Sequence, residues 1–348
     1  MTENKKNTPT VSVLIPVYNV EKYIRQCLDS IIAQSYQDFE VVMIDDASPD
    51  NCPAICDEYA GRYDNFHAIH LERNGGLLHA RDVAISNAEG EYILWVDPDD
   101  YIGPDRIKNL IITALEHNAD AVNCDMTFVY EQTGKTRVER SIIAEGVYTG
   151  AELEELKTRM MSIDRKSMCR TIANSMVTKL WRRTLLENAI GRFRSSIRMG
   201  EDSIRTYYAM MQAKVFCVTH DASYYYRQFP AQMSRERYHS AYFENSKCIY
   251  MTLREAFPDA AYKHEIDENL SLIAVSAVLN EANNPNRKER RKVLENIIHD
   301  KDIMAANTDI SVGNLNVFYR IIAKLIRKGR IDILLFIIKA YSLTSLGS

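Results

Sequence analysis

Three aspartates lie within four residues of one another, at Asp97, Asp99 and Asp100, directly after an apolar run. Asp followed by Pro98 is also typical of a simple type I turn, so the spacing alone leaves a structural interpretation open. Three neighbouring carboxylates repel one another unless a cation compensates their charge. Hard oxygen ligands without His or Cys favour Mg²⁺ or Mn²⁺, and a calcium-binding EF-hand loop is excluded because Ile102 occupies its glycine position.

A second candidate site follows the first predicted strand, where Pro16, Tyr18 and Asn19 form a stiff turn. No glycine precedes Gly61, so the glycine loop of a dinucleotide fold or a P-loop is excluded at this position. An aromatic ring and an amide suit a planar nucleotide base better than a pyrophosphate. We therefore expect this turn to bind a base.

An anion-binding pattern lies between these two sites, where Gly75 and Gly76 precede a predicted helix that carries Arg81. A helix N-terminus offers free N–H groups to an anion, and an arginine adds a permanent charge that can fork onto phosphate. A plain loop and a surface arginine would explain the pattern equally well in isolation. Beside a base-binding turn and a metal site, the pattern favours a phosphate contact.

Two further acidic positions could take part in chemistry. The second predicted strand ends in Asp45 and Asp46, and Glu201 and Asp202 precede a helical pattern over 203–212. A carboxylate can remove the proton of an attacking hydroxyl group. An acidic pair at a helix start can equally serve the helix dipole, so the spacing alone leaves both roles open for the second pair.

These residues require elements that bring them to one edge of a sheet. Strand-like and helix-like stretches alternate from residue 11 to about 125, which is typical of an α/β fold with a mainly parallel sheet and flanking helices. Such sheets bind ligands at the carboxyl ends of their strands. We predict a polar tail over 1–10, an α/β domain over 11–239 and a helical region over 240–348. The predicted strands are 11–15, 40–44, 66–71, 92–96 and 121–124, and the predicted helices are 21–32, 53–63, 78–86 and 105–116.

Composition limits the class of protein. The 348 residues are 46% hydrophobic, and 43 Lys and Arg against 47 Asp and Glu give a net charge of −4, which does not indicate a nucleic-acid partner. No run approaches the roughly 20 apolar residues of a membrane span, and the polar start lacks the apolar core of a signal peptide. The seven cysteines fit reduced thiols, and Cys52 and Cys56 lack further ligands for zinc. We therefore expect a cytoplasmic protein.

The order of these motifs resembles the inverting family 2 glycosyltransferases of the GT-A fold, the bacterial kind that builds surface polysaccharides. The resemblance extends over about residues 10–235, and an ordered set of this kind is far more specific than any single motif. The matching segments are 12–19, 34–40, 45–50, 74–81, 90–93, 96–100, 179–183, 200–202 and 225–227.

The resemblance implies how the donor binds. Residues 11–125 would form the nucleotide-sugar half of a Rossmann-like GT-A domain, and residues 126–239 the acceptor half. Arg81 would lie near the phosphates or ribose of the donor. The residues implied at the nucleotide are Pro16, Tyr18, Asn19 and Asp46, the last accepting a hydrogen bond from a base N–H.

The resemblance also implies the catalytic groups. Asp97 and Asp99 take the two ends of the Asp-x-Asp motif that contacts the ribose and the metal on the diphosphate, with Asp100 beside them. We expect Mn²⁺ or Mg²⁺ as cofactor, with Asp99 and Asp100 as ligands and Asp97 at the donor. Asp202 matches the position from which the family draws its catalytic base.

The C-terminal stretch 317–338 combines apolar residues at helical spacing with five cations between Arg320 and Arg330. This pattern suits an anionic membrane surface, and it suits a helix packed on the protein with a solvated basic edge. With lipid-linked acceptors in the resembled family, we expect peripheral binding to the inner face of the plasma membrane.

The expected activity is the inverting transfer of a sugar from a UDP-sugar to a glycan or lipid-linked saccharide. Two other interpretations remain. A metal-dependent nucleotidyltransferase also combines a base pocket with a carboxylate-held metal, and an inactive scaffold of a polysaccharide assembly complex would keep the fold without the reaction.

Overall fold

The computed structural model describes residues 8–162, 170–193, 197, 200–229, 238–309 and 317–344. The chain divides into two compact units, residues 1–229 and 230–348. The first unit contains every residue that the motifs single out for donor binding and catalysis. The division of this unit into donor and acceptor halves stays a prediction.

The first unit is built on a mixed sheet whose described strands run in the order β3-β2-β1-β4-β10-β6-β11-β9. The first four of these are parallel, and β10 pairs antiparallel with both of its neighbours. The strands are β1 (Val11–Val17), β2 (Phe39–Asp45), β3 (Phe66–His70), β4 (Tyr92–Trp95), β6 (Ala121–Asn123), β9 (Gly146–Thr149), β10 (Lys179–Arg182) and β11 (Val215–Val218).

Strands β1 and β2 are buried along their whole length. Near-continuous apolar strands of this kind are typical of a parallel sheet with both faces covered. The predicted α/β architecture is therefore confirmed. The helices of this unit are α1 (Ile24–Ile32), α2 (Cys52–Arg62), α3 (Leu77–Ser86), α4 (Arg106–His117), α5 (Gly150–Lys157), α6 (Arg183–Glu187) and α7 (Glu201–Gln212).

A smaller sheet forms beside the end of β4, with the strand order β5-β12-β7-β8 among the described residues. The polar residues 131–134 form the turn between its strands β7 and β8, which pair antiparallel. The strands are β5 (Tyr101–Ile102), β7 (Met126–Tyr130), β8 (Lys135–Glu139) and β12 (Tyr224–Gln228).

The described part of the second unit is helical, as the sequence predicts. Helix α9 is central to it and contacts α8, α11, α12 and α13. None of the described helices is long and apolar enough to cross a membrane. The helices are α8 (Tyr242–Ala256), α9 (Ala260–Asn280), α10 (Arg287–His299), α11 (Lys301–Asp309), α12 (Val317–Arg327) and α13 (Ile331–Thr344).

Candidate active site

The predicted base-binding turn lies at the carboxyl end of β1. Pro16 is buried within the strand, whereas Tyr18 is 47% exposed just beyond it. Asn19 has a left-handed backbone with φ of 53°, and its N–H donates to Ser48 Oγ at 3.2 Å. The turn therefore presents the Tyr18 ring to solvent at the edge where β1 and β2 end.

Asp46 fixes the glycine turn that precedes α3. Its two carboxylate oxygens accept hydrogen bonds from the N–H groups of Gly75 at 2.7 Å and Gly76 at 2.9 Å. Gly76 has φ of 85°, a backbone conformation that favours glycine. Asp46 is only 3% exposed, so the structure places it beneath the turn that begins the Arg81 helix.

Arg81 lies at the centre of an ionic cluster, which we call the Arg81 cluster and define as Arg81, Asp97, Glu201 and Asp202. The Arg81 guanidinium is 1% exposed. Its Nη1 donates to Asp202 and lies 3.4 Å from Glu201 Oε1, and its Nη2 lies 3.5 Å from Asp97 Oδ1. One buried cation thus joins the carboxylate at the end of β4 to two carboxylates at the start of α7.

The three aspartates after β4 differ in their surroundings. Asp97 and Asp99 are half-buried, whereas Asp100 is fully buried. One Asp100 oxygen accepts from the Tyr224 hydroxyl at 2.7 Å, and the other accepts from the Arg227 backbone N–H at 2.8 Å. Burial, reinforced by the charges of Asp99 and Asp97, raises the pKa of Asp100 well above its ordinary value, and these two hydrogen bonds oppose the rise.

The turn predicted at Asp97 is present, and the alternative role in cation binding stays a prediction. The Asp100 N–H donates to the Asp97 carbonyl oxygen at 3.0 Å, so the segment is indeed a tight turn. The turn also leaves the carboxylates of Asp97 and Asp99 partly exposed at the carboxyl edge of the sheet. The tight turn therefore leaves two carboxylates accessible to a ligand.

The first turn of α7 positions Asp202. Gly200 precedes the helix with φ of 79°, and Asp202 lies in the first helical turn with a quarter of its side chain exposed. Arg205, one turn further, is buried and donates to Asp82 and to the Leu78 carbonyl oxygen at 3.2 Å. Two ion pairs, Arg81 with Asp202 and Asp82 with Arg205, thus connect α3 to α7.

Comparison with known proteins decides the family. Residues 12–189 match the family model described as glycosyl transferase family 2. The chain belongs to glycosyl transferase family 2. The resemblance found in the sequence is therefore confirmed, and so is the prediction of a glycosyltransferase.

Relatives and solved structures agree with this family 2 assignment. The chain is 32% identical over 249 residues to an uncharacterized glycosyltransferase, EpsJ, of Bacillus subtilis, covering 70% of this chain and 68% of EpsJ. It is 32% identical over 264 residues to the poly(ribitol-phosphate) beta-N-acetylglucosaminyltransferase TarS of Staphylococcus aureus, covering 73% of this chain and 42% of TarS. A crystal structure of S. aureus TarS 1-349 in complex with UDP-GlcNAc superposes with a TM-score of 0.70 at 25% identity, covering 96% of this chain and 92% of that one. The GT-A fold is thereby confirmed.

Sequence patterns do not indicate the role of several residues at the candidate site of this glycosyltransferase. Arg205 and the Asp100 partners Tyr224 and Arg227 are buried polar residues that hold the acidic groups in place. Arg227 lies in the matching segment 225–227, and the resemblance assigns it no role. For Arg205 the only signal is its position one turn after Glu201, which is not specific.

Lys179 positions the segment that contacts Asp202. The fully buried Lys179 ammonium donates to the carbonyl oxygens of Ala173 at 2.5 Å and Ser175 at 3.0 Å. Within this segment, the Met176 N–H donates to Asp202 Oδ2 at 3.3 Å. Asp202 is thus oriented from two sides, by Arg81 and by a backbone amide.

Lys179 should make the stability of the enzyme depend on pH. Burial lowers its pKa from 10.5 to about 7. Between pH 7 and 10.5 the unfolded chain keeps a proton that the folded chain releases, so the free energy of unfolding rises with pH across this window. In Lys179→Met this contribution should disappear, which urea unfolding at pH 7 and pH 9.5 would reveal.

Lys135→Met is the matched control, because Lys135 is exposed on β8. We expect it to show the pH dependence of the wild type. Equal slopes in Lys179→Met and the wild type would contradict the prediction.

Proposed function

We propose that this enzyme transfers a sugar from a UDP-sugar to a saccharide or lipid-linked saccharide acceptor with inversion, using Asp202 as general base. The observation that carries the proposal is the Arg81 cluster. It brings Asp202, a partly exposed carboxylate, to the edge of the sheet where the donor residues lie, within one ionic network with Asp97. Family membership favours glycosyl transfer over nucleotidyl transfer.

Asp202 suits the role of base because its carboxylate is fixed by two contacts and is still partly exposed. One of its oxygens is paired with Arg81, and the other accepts from the Met176 N–H. A carboxylate within hydrogen-bond reach of an acceptor hydroxyl removes its proton as the oxygen attacks the anomeric carbon. Attack from the face opposite the leaving diphosphate inverts the configuration. Glu201 is 7% exposed, so Asp202 is the better candidate of the acidic pair.

The nucleotide would bind at the ends of β1 and β2. Tyr18 offers an exposed ring on which a base can stack. Asp46 is occupied by two glycine amides, but each carboxylate oxygen can accept more than one hydrogen bond. With Asn19 and Pro16 completing the turn, we propose UDP as the nucleotide. The TarS structure with UDP-GlcNAc supports an N-acetylhexosamine donor.

The residues at the end of β4 fit a divalent cation. No group of three or more His, Cys, Asp or Glu that could hold a metal occurs in the described ranges. A Mg²⁺-type site needs only one or two protein carboxylates, because further oxygens come from substrate phosphates. We propose Asp99 and Asp97 as the protein ligands. When bound, the ion would act as a Lewis acid that stabilises the charge developing on the leaving diphosphate.

Burial changes two of the predicted assignments. Asp100 has both oxygens engaged inside the protein, so we assign it to the support of the turn rather than to the metal. Arg81 is almost fully buried beneath the carboxylates, so we assign it to positioning Asp97 and Asp202 rather than to direct contact with phosphate.

The second unit carries a surface suited to an anionic membrane. On α12, Val317 is 64% exposed and Ile321 46%, next to the cations Arg320 and Lys324. The opposite face of α12 is buried, so these apolar residues are not needed for the core. On α13, Phe336 is 73% exposed. We propose that this surface binds anionic lipid at the cytoplasmic leaflet, where a lipid-linked acceptor would be presented.

Replacing the proposed base should separate binding from chemistry. In Asp202→Asn the side chain can no longer accept a proton, so kcat should fall roughly 10²–10⁴-fold. Binding of UDP-GlcNAc with Mn²⁺, measured by calorimetry, should stay near the wild-type value. The exposed Asp64→Asn serves as control and should keep full activity. Normal turnover by Asp202→Asn would refute the assignment.

Removing the metal should abolish transfer. EDTA should reduce UDP-GlcNAc turnover to background, and Mn²⁺ should restore it in the wild type. Asp99→Asn, which loses one charged ligand, should need roughly tenfold more Mn²⁺ for half-maximal activity. Glu116→Gln, an exposed change on α4, should behave like the wild type. The proposal fails if EDTA has no effect or if the Mn²⁺ requirement of Asp99→Asn is unchanged.

Exposed aromatic side chains should be required for membrane binding. Phe318→Ser combined with Phe336→Ser removes apolar area from α12 and α13, so flotation with phosphatidylglycerol vesicles should weaken about tenfold or more. Ile112→Ser with Leu115→Ser, two exposed apolar residues on α4, provides the matched control. Undiminished flotation of the Phe318/Phe336 variant would exclude this surface.

A further inference from the structure

A cavity of about 460 Å³ opens beside the carboxyl end of β6, and its lining includes none of the residues assigned to the donor. It is lined by one wall from the β8 hairpin and one from residues 170–178. We call it the arginine cavity, and the lining residues that matter here are Asn123, Arg137, Arg140, Arg170 and Asn174.

The lining is positively charged. Three arginines, Arg137, Arg140 and Arg170, face one carboxylate, Glu139, in a protein whose net charge is −4. Arg137 Nη2 pairs with Glu139 at 2.9 Å, and the guanidinium lies over the Phe128 ring at 4.6 Å. These contacts orient a group that has five N–H donors. An arginine fork of this kind matches the oxygen pairs of a phosphate or a carboxylate.

The inner end of the cavity offers a hydrogen-bond acceptor. Asn123 is 2% exposed at the end of β6, and its Oδ1 has no hydrogen-bond partner among the described residues. A buried amide oxygen without a donor carries a desolvation cost that an incoming hydroxyl group would remove. The cavity thus combines the exposed cations Arg137 and Arg140 with a buried acceptor for hydroxyl groups.

The wall of the cavity is held firmly. Asp125 is buried, and its Oδ1 accepts from the Ser141 N–H at 2.8 Å, which fixes the end of the hairpin that carries Arg137 and Arg140. Its Oδ2 lies 3.0 Å from His220 Nδ1. The carboxylate of Asp125 is therefore engaged by two partners within the protein.

The cavity adjoins the proposed base. Strands β4 and β6 flank β10 in one sheet, so their carboxyl ends lie about two strand spacings, or about 10 Å, apart. Asn174 Nδ2 donates to Ser203 Oγ at 2.7 Å, next to Asp202. Met176, two residues along the same segment, donates its N–H to Asp202. A chain seated in the cavity could thus present a hydroxyl group to Asp202.

We propose that the arginine cavity binds the acceptor and selects a polyol or saccharide that carries a phosphate or carboxylate group. This inference rests on the proposed function, because it takes Asp202 as the base. The anionic group would lie against Arg137 and Arg140, and a hydroxyl group would donate to Asn123.

The test is the binding of small anionic polyols to the full chain in the presence of EDTA and without donor. Saturation-transfer NMR would compare glycerol 3-phosphate, glucuronate and glycerol. We expect one or both anionic probes to bind, and the probe that binds more tightly would identify the anionic group of the acceptor. Glycerol should bind at least tenfold more weakly. Arg137→Gln combined with Arg140→Gln should weaken the anionic probes at least fivefold.

The matched control removes two positive charges elsewhere. Lys108→Gln combined with Lys135→Gln changes exposed lysines outside the cavity, and it should keep wild-type affinity. The proposal is overturned if the arginine variant binds as the wild type does, or if the lysine variant loses as much affinity. Equal binding of glycerol and the anionic probes would also overturn it.

Asn123→Ala distinguishes a binding role from a structural one. It should weaken glycerol 3-phosphate while leaving inorganic phosphate unchanged, with an unaltered urea midpoint. Equal weakening of both probes, together with a lower midpoint, would show a structural role and overturn the assignment of Asn123. UDP binding with Mn²⁺ is measured separately, so failure of the proposed donor chemistry and failure of the arginine cavity can be told apart.

Discussion

The site depends on one buried cation. Arg81 is nearly inaccessible to water, yet three carboxylates from two distant parts of the chain surround it. Removing one partner from a buried ionic cluster leaves an uncompensated charge, which is far more costly than losing an exposed ion pair. Arg81 therefore requires α7 to lie against the end of β4. The geometry of the candidate active site thus follows from an electrostatic constraint of folding.

A second constraint connects the acidic turn to the smaller sheet. Asp100 receives hydrogen bonds from the Tyr224 hydroxyl and the Arg227 backbone, both on β12. The Arg227 guanidinium in turn donates to the Asp99 carbonyl oxygen at 2.7 Å. The conformation of the turn is therefore determined from inside the protein. The carboxylates of Asp97 and Asp99 can then stay partly exposed without having to stabilise the turn themselves.

Sequence patterns predicted where the acidic residues lie but not how they are divided between interior and cleft. Apolar strands that end in carboxylates place those groups at one edge of a parallel sheet, and this part was readable. Whether a given carboxylate turns inward depends on partners more than a hundred residues away, such as Tyr224 for Asp100. The same holds for Arg81. Its position in the helical pattern is typical of a surface residue, and its burial depends on contacts with Glu201 and Asp202. The sequence does not indicate the arginine cavity for a related reason. Strand β8 is polar and exposed, and its pattern predicts a hairpin without any sign of a binding site.

The near balance of total charge conceals a separation of charges that the reaction needs. Carboxylates gather at the ends of β2 and β4 and at the start of α7, where the proposed divalent cation and the proposed base would lie. Cations gather around the arginine cavity and on α12, where an anionic acceptor and an anionic surface would bind. In the proposed acceptor complex, these opposite charges would keep an anionic acceptor away from the carboxylates and direct it toward Arg137 and Arg140. The proposed acceptor would then approach Asp202 with its hydroxyl end, so the charges that bind it would also orient it for attack.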